Sequence, residues 1–274
     1  MTLIRLLVSD VDGTLVQPDK SLAPSTVAAA ARLQAGGVAL AIVSARPPRG
    51  MRWIAEALHL TAPLAGFNGG TLLAPDGSVL RQQTVPATAV RLALDLFVRR
   101  GVDAWLFTAD EWLLTNPAGP RIELERHTVR FDERVVPDLA PYADQAGKVV
   151  GVSDDYAKLA AVEAELQGVL AGAAAAHRSQ QYYLDVTHPD ANKGNAVRAL
   201  AAQLGLALDE VAVIGDMEND VPMFDVAGYA VAMGNATPAV QARAAAVTSA
   251  NDGDGWAQAV DALILPRARL GSAA

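Results

Sequence analysis

Short apolar runs alternate with alanine- and leucine-rich stretches along most of the chain. The runs Ile4–Val8 and Val38–Val43 are almost continuously hydrophobic. Pro24–Gln34, between them, has the composition of a helix, and the Gly36-Gly37 pair that follows is typical of a helix end. Apolar strands separated by helices indicate a parallel sheet that is covered on both faces. The pattern therefore predicts a doubly wound, Rossmann-like α/β fold.

The alternation is interrupted in the middle of the chain. One predicted helix is followed there by a hairpin-like segment, D-A-W-L-F-T-A-D-E-W-L-L-T, and by a looser polar stretch. The strand–helix rhythm resumes at Tyr182–Val186, and the C-terminal segment R-A-R-L-G-S-A-A is predicted to fray. We predict a core domain of residues 1–85 and 184–274 and an inserted α+β cap domain of residues 86–183.

Composition narrows the class of protein. The 274 residues are 51% hydrophobic, which is enough for a sizeable core, and the net charge of −8 argues against binding to nucleic acid. The lack of cysteine excludes disulfides, thiolate zinc sites and cysteine nucleophiles. No signal peptide and no apolar run of roughly 18 residues is visible, so we expect no membrane segment. A cytoplasmic protein, monomeric or homodimeric, is the expectation.

Polar side chains follow three of the predicted strands at the point where each strand ends, and a lysine begins a later predicted helix. These residues are Asp10 and Asp12 after the first strand, Ser44 and Arg46 after the second, Asp216, Asn219 and Asp220 after V-A-V-I-G, and Lys193 in H-P-D-A-N-K-G. In an open parallel sheet, ligands bind at the carboxyl ends of the strands, where the strand order reverses. We therefore expect these residues to converge on one edge of the sheet.

The residue types at this edge suit a metal ion and a phosphate group. Carboxylates without histidine or thiol are the donors that Mg²⁺ accepts, together with water and phosphate oxygens. A serine hydroxyl and a lysine ammonium, here Ser44 and Lys193, suit a phosphate. Asp10 and Asp12 would repel each other, so either a positive charge lies between them or one of them carries a proton.

The same residues resemble the motifs of a known family. D-V-D-G-T-L resembles the first motif of the haloacid dehalogenase (HAD) superfamily of phosphohydrolases, while Ser44, Lys193 and G-D-M-E-N-D resemble its second, third and fourth motifs in the right order. N-G-G at 68–70, V-A-M-G-N-A at 231–236 and the insertion resemble the Cof-type branch, which carries an α/β cap. The chain departs from the family where Ala45 replaces a common glycine and where Met217 follows the fourth-motif aspartate.

The resemblance implies roles for the three aspartates nearest the chemistry. Asp10 would be the nucleophile that forms an aspartyl-phosphate. Asp12 would protonate the leaving group and then accept a proton from the hydrolytic water. Mg²⁺ would be held by Asp10, by the backbone carbonyl of Asp12 and by Asp216.

The resemblance also implies residues that bind and orient the substrate. Ser44 and Lys193 would hold the phosphoryl group. Asn219 would join Ser44 and Lys193 in binding the substrate. Asn219 and Asp220 would also help to orient the site. For Arg46 two interpretations stay open, a contact with substrate and a surface ion pair.

These observations predict an Mg²⁺-dependent phosphatase that acts on a small phosphorylated metabolite, with a sugar phosphate as the expected class. A sugar phosphomutase is the alternative within the superfamily, because the inserted segment contains enough arginines for a second phosphate site. A phosphate-binding module without catalysis is the alternative from another class of protein.

Overall fold

The computed structural model describes residues 2–268, so most of the segment that was predicted to fray lies outside the described residues. The strands are β1 (Leu6–Ser9), β2 (Ala39–Ile42), β3 (Leu64–Gly66), β4 (Thr71–Leu73), β5 (Val79–Gln82), β6 (Asp103–Phe107), β7 (Trp112–Leu114), β8 (Arg134–Val135), β9 (Lys148–Val152), β10 (Ala175–Gln180), β11 (Tyr183–Thr187), β12 (Val211–Gly215), β13 (Tyr229–Ala232) and β14 (Ala246–Val247). The α-helices are α1 (Pro24–Ala35), α2 (Arg52–Ala57), α3 (Ala87–Arg100), α4 (Ile122–Val129), α5 (Tyr156–Leu170), α6 (Lys193–Gln203), α7 (Val221–Phe224), α8 (Pro238–Gln241), α9 (Gly255–Ala259) and α10 (Leu265–Ala268). Among residues 2–268, no helix combines the length and the apolar character that a membrane crossing requires.

The described chain forms two compact units. The core unit contains residues 2–45, 52–80 and 192–268, and the inserted unit contains residues 46–51 and 81–191. The units change over between residues 80 and 81, five residues before the predicted boundary, and between 191 and 192, eight residues after it. Residues 46–51, which were predicted in the core, belong to the inserted unit.

The core unit is built on a parallel sheet with the strand order β14-β13-β12-β1-β2. Its centre is β1, which pairs in parallel with β12 on one side and with β2 on the other. The chain leaves β1 first toward β2 and later returns to β12, so the strand order reverses between β1 and β12. All four residues of β1 are buried, as expected for a strand with helices on both faces. The predicted doubly wound α/β fold is confirmed.

Helix α6 is held against this sheet by a continuous apolar stripe. Val197, Leu200 and Ala201 of the helix are buried in one hydrophobic cluster with Val8 of β1 and Val213 of β12. Burying a valine or leucine side chain stabilises a fold by about 1.5–3 kcal/mol. This packing fixes the start of α6, and with it Lys193, relative to the ends of β1 and β12.

The inserted unit contains a six-stranded sheet with the order β10-β11-β9-β6-β7-β8. The hairpin of β6 and β7 is antiparallel, as the sequence predicted. Helices α3 and α5 bury Leu96, Phe97, Leu159 and Leu166 in the hydrophobic cluster of this unit.

One strand belongs to a different sheet from the one expected. The segment Tyr182–Val186 was predicted to resume the rhythm of the core, but β11 pairs antiparallel with β9 and with β10. An apolar run of this length fits either sheet, so the pattern alone could not decide between them. The core rhythm resumes only at α6.

Candidate active site

Asp10 lies at the point where the order of the core strands reverses. It follows the last residue of β1, its backbone N–H donates to the carbonyl of Ile214 at the end of β12 (2.9 Å), and the residue is 4% exposed. The Ser9 hydroxyl donates to the backbone carbonyl of Asp10 (2.7 Å) and accepts from the indole N–H of Trp256 (2.9 Å). The backbone of Asp10 is therefore held by buried groups on both sides.

Lys193 joins Asp10 to a second carboxylate. Its Nζ lies 2.6 Å from Oδ1 of Asp10 and 2.5 Å from Oδ1 of Asp220, and its side chain is 1% exposed. It is the first residue of α6, whose start is capped by the Asn192 side chain, which accepts from the N–H of Asn195 (2.9 Å). Burial alone would lower the pKa of Lys193, but the two carboxylates outweigh burial and raise it, so the group stays charged.

Asp220 fixes the loop that follows β12. Its Oδ2 accepts from the backbone N–H of Asp216 (2.8 Å) and of Met217 (2.9 Å), and the residue is fully buried. A Cβ atom on Gly215 would stand 2.5 Å from Cγ of Asp220, so this position has no room for a side chain. The spacing in G-D-M-E-N-D thus allows the Asp220 carboxylate to accept a hydrogen bond from the backbone of Asp216.

Asp216 is held by two side chains from other segments. The Thr14 hydroxyl donates to its Oδ1 (2.9 Å), and Nδ2 of Asn235 donates to its Oδ2 (3.2 Å) and to the carbonyl of Gly13 (2.9 Å). Gly13 has a φ of +81°, and a Cβ atom there would overlap the Asp216 carboxylate. The glycine of D-V-D-G-T-L is therefore required both by the turn and by the neighbouring carboxylate.

The carboxylates of Asp10, Asp216 and Asp220 form one cluster, in which one oxygen of each lies within 4.8 Å of the others. Burial raises the pKa of Asp10 well above its ordinary value; Lys193 opposes this, and Asp220 and Asp216 add to it. Burial also raises the pKa of Asp216 to about 6, and the charge of Asp220 adds to that shift.

The donors in this cluster fit a divalent cation. Asp10 and Asp216 are the carboxylates that the family resemblance assigns to a metal, and both belong to this cluster, so they would hold the ion. Asp220 bonds Lys193 and the backbone of the loop that carries Asp216. Hard oxygen donors of this kind are the ligands of Mg²⁺ and similar ions, and the cluster has more negative charge than Lys193 can balance.

The Asp12 carboxylate is not a member of the acidic cluster that Asp10, Asp216 and Asp220 form. Its Oδ1 accepts from Nζ of Lys20 (2.8 Å), and its side chain is 32% exposed, whereas that of Asp10 is 5% exposed. The two neighbouring aspartates therefore have separate positive partners, Lys193 for Asp10 and Lys20 for Asp12. From the sequence, we expected either one positive charge between the two aspartates or a proton on one of them.

Ser44 and Asn219 lie in the core unit with the acidic residues. Ser44 is buried beyond the end of β2, where its N–H donates to Ala65 (3.0 Å) and its carbonyl accepts from the N–H of Asn68 (2.8 Å). Asn219 is exposed, and its Nδ2 lies 3.4 Å from Oδ1 of Asn68.

Arg46 belongs to the inserted unit. It is 4% exposed, and its guanidinium donates to the backbone carbonyl of Thr128 (2.7 Å). Its burial rules out the surface ion pair that the sequence left open. The contact with substrate remains a prediction.

Sequence reasoning missed Thr14, Asn235 and Lys20, whose side chains bond the carboxylates of Asp216 and Asp12. Thr14 and Asn235 lie inside quoted motifs, D-V-D-G-T-L and V-A-M-G-N-A, so the motifs could have identified them as contacts of Asp216. Lys20 lies in a polar turn, where no spacing or periodicity singles it out. Only the fold brings it to Asp12.

A doubly wound core with buried carboxylates and a lysine at its switch point defines a class of enzymes that act on small anionic substrates. The family model of haloacid dehalogenase-like hydrolases matches residues 7–260, and the chain belongs to this family.

Curated relatives and solved structures match the chain over most of its length. It is 32% identical to an HMP-PP phosphatase of Cronobacter sakazakii, over 85% of each chain. It is 28% identical to the pyridoxal phosphate phosphatase YbhA of Escherichia coli K12, over 93% of this chain and 96% of the relative. A crystal structure of a haloacid dehalogenase-like hydrolase from Bacteroides thetaiotaomicron superposes with a TM-score of 0.87 at 28% identity, covering 94% of this chain and 98% of that one. The predicted resemblance, to Cof-type phosphatases of the superfamily, is confirmed.

Proposed function

We propose that the protein is an Mg²⁺-dependent phosphatase that hydrolyses a small phosphorylated metabolite through an aspartyl-phosphate on Asp10. One observation carries this proposal. Lys193 bonds both Asp10 and Asp220 at the switch point of a parallel sheet, within a cluster of three buried carboxylates. The relatives that carry the name phosphatase support the same reaction class.

Asp10 is the group we assign as nucleophile, because it is buried, fixed by its backbone and bonded to a permanent cation. A carboxylate oxygen of Asp10 attacks phosphorus, and the bond from phosphorus to the leaving oxygen breaks. Lys193 holds the carboxylate in place and faces the negative charge that the phosphoryl group brings. Ser44, at the end of the neighbouring strand, is the hydroxyl we assign to a phosphoryl oxygen.

Asp12 is the group we assign to proton transfer, since its carboxyl group is half-exposed and separate from the acidic cluster. It gives its proton to the leaving oxygen in the first step. In the second step it takes a proton from a water molecule, which attacks phosphorus. The bond between phosphorus and Asp10 then breaks, and inorganic phosphate leaves.

Asp10 and Asp216 are the side chains that would hold the metal ion, with the backbone carbonyl of Asp12 as the third protein ligand that the family resemblance implies. When bound, a divalent cation offsets negative charge on the phosphate and so lets an anionic nucleophile approach. Thr14 and Asn235 orient the Asp216 carboxylate for that role through the hydrogen bonds described above.

The proposal also covers the class of substrate. We propose a small phosphate monoester, and a sugar phosphate was the expectation from the sequence. Two relatives are named for HMP-PP and for pyridoxal phosphate, so phosphorylated heterocycles belong in the same set of candidates.

The test is release of inorganic phosphate by the purified protein from a panel of esters. The panel contains p-nitrophenyl phosphate, several sugar phosphates and pyridoxal phosphate, each measured with Mg²⁺ and with EDTA. We expect phosphate release that needs the metal. An isomerised sugar phosphate without free phosphate would instead identify a phosphomutase, and phosphate binding without turnover would identify a binding module.

A further inference from the structure

Asp12 has a charged partner that belongs to no motif of the site. Nζ of Lys20 lies 2.8 Å from Oδ1 of Asp12, with side-chain exposures of 26% and 32%. The pair lies wholly within the core unit. Lys20 lies outside all four family motifs. Its contact with Asp12, the predicted proton-transfer group, therefore needs a separate explanation.

The backbone of Lys20 adopts a conformation that is unfavourable for lysine. Its φ is +66°, in the left-handed region that glycine and asparagine tolerate best. The turn is closed by two hydrogen bonds, from the N–H of Lys20 to the carbonyl of Gln17 and from the N–H of Gln17 to the carbonyl of Ser21, each 2.9 Å. A fixed turn that holds a lysine in this region is the kind of backbone outlier that points to a role for the side chain.

The backbone of Asp12 is also fixed, which leaves its side-chain rotamer as the variable. The N–H groups of Leu15 and Val16 both donate to the carbonyl of Val11, at 2.9 and 3.0 Å, and Asp12 forms a bridge with Val16. The position of the Asp12 carboxyl group therefore depends on what bonds it at the end of the side chain.

We propose that Lys20 is a positioning residue for proton transfer by Asp12. The ammonium holds Oδ1, so that Oδ2 gives the proton to the leaving oxygen and later takes a proton from the hydrolytic water. A carboxyl group can accept this bond through Oδ1 whether or not Oδ2 carries a proton. This inference rests on the proposed function, because it assigns Asp12 the role of acid and base.

The solvent exposure of the Lys20–Asp12 ion pair limits how much the loss of Lys20 can lower activity. A half-exposed ion pair favours the bonded arrangement by at most about fivefold. Loss of Lys20 should therefore lower kcat/KM by up to about fivefold on substrates that need protonation of the leaving group. It should have much less effect on p-nitrophenyl phosphate, whose leaving group departs readily without a proton.

Three variants of the full chain test this inference. Lys20→Asn removes the ammonium and leaves a residue that tolerates the left-handed turn, while Lys20→Arg keeps the charge. Arg5→Met removes an exposed ion pair of the same unit, with Glu210, and serves as the matched control. For each variant, kcat/KM is measured on phenyl phosphate and on p-nitrophenyl phosphate, and a crystal structure records the Asp12 rotamer.

We expect Lys20→Asn to lose activity selectively on phenyl phosphate and to show a displaced Asp12 side chain, with both effects largely restored in Lys20→Arg. An equal loss on both substrates, or an Asp12 carboxyl group that stays in place in Lys20→Asn, would overturn the assignment. If wild type hydrolysed neither ester, the proposed function would fail. The crystal structures would still decide whether Lys20 positions Asp12, because that readout needs no turnover.

Discussion

The buried lysine of the site should contribute to the stability of the fold as well as to catalysis. In Lys193→Met an apolar chain of similar length replaces an ammonium that is 1% exposed and bonds Asp10 at 2.6 Å and Asp220 at 2.5 Å. Two buried carboxylates then lose their cation. Removing one partner of a buried ion pair costs about 3–5 kcal/mol, because the other charge remains without compensation. With two carboxylates affected, we expect the upper part of this range.

The assay is denaturant or thermal unfolding in EDTA, so that no metal ion replaces the lost charge. For a chain of this size, about 3–5 kcal/mol corresponds to a decrease in Tm of roughly 6–20 °C. Lys20→Met is the matched control, since it makes the same change in a half-exposed pair and should cost at most about 1 kcal/mol.

The pH dependence gives a second check on the same variant. Without Lys193, the folded-state pKa of Asp10 would lie still further above its unfolded value, so stability is lost as pH rises through that interval. The deficit of Lys193→Met should therefore be smaller at pH 5 than at pH 8. Wild-type Lys193 stays charged over this range, because its pKa is raised.

A double variant separates the effect of the lost Lys193 charge from the effect of changed packing at that position. In the Lys193→Met background, Asp220→Asn neutralises one stranded carboxylate and should recover about 1–2 kcal/mol instead of adding a further loss. The reasoning would be refuted if Lys193→Met were no less stable than Lys20→Met. Additive losses in the double variant would refute it equally.

Three further predictions concern the metal and the nucleophile. Mg²⁺ should raise the Tm of the EDTA-treated protein, with an apparent affinity weaker by at least about tenfold at pH 5 than at pH 7.5, because Asp216, with a pKa of about 6, and Asp10, whose pKa is also raised, must lose their protons to bind; equal affinities would contradict this. Asp10→Asn should lower kcat by several orders of magnitude with little change in Tm, and near-normal turnover would place the nucleophile elsewhere. Asn235→Ala should weaken Mg²⁺ binding about 10- to 100-fold, as measured by metal titration of activity, and unchanged affinity would remove Asn235 from the support of Asp216.

The core of the fold was predictable because its strands are buried on both faces. Continuous apolar runs predicted β1, β2 and β12, and the structure shifts their ends by only one or two residues. The site at the ends of these strands follows from the topology of a parallel sheet, so the sequence alone predicts that Asp10 and Asp216 lie close together. For these strands, the local hydrophobic pattern and the overall fold favour the same structure.

The inserted unit was less predictable. Helix α4 was missed inside a polar stretch because only Ile122, Glu125 and Val129 of its residues are buried, and one of these is a charged residue. Strand β10 was missed as well, since most of its side chains are half-buried or exposed. The role of Arg46 could not be inferred from its position after Ser44, because the chain enters the inserted unit at that residue.

The D-x-D spacing acquires a physical meaning only with the fold. Two residues apart in an extended strand, Asp10 and Asp12 would point to the same face and repel each other. Strand β1 ends at Ser9, and the turn that begins at Val11 directs the two carboxylates to different surroundings. One is buried and bonded to Lys193, while the other is half-exposed and bonded to Lys20. A nucleophile must keep its position, whereas a proton carrier must exchange with substrate and water. The buried member of the pair fits the first requirement and the half-exposed member fits the second, and this difference in environment is the reason for assigning the two roles in that order.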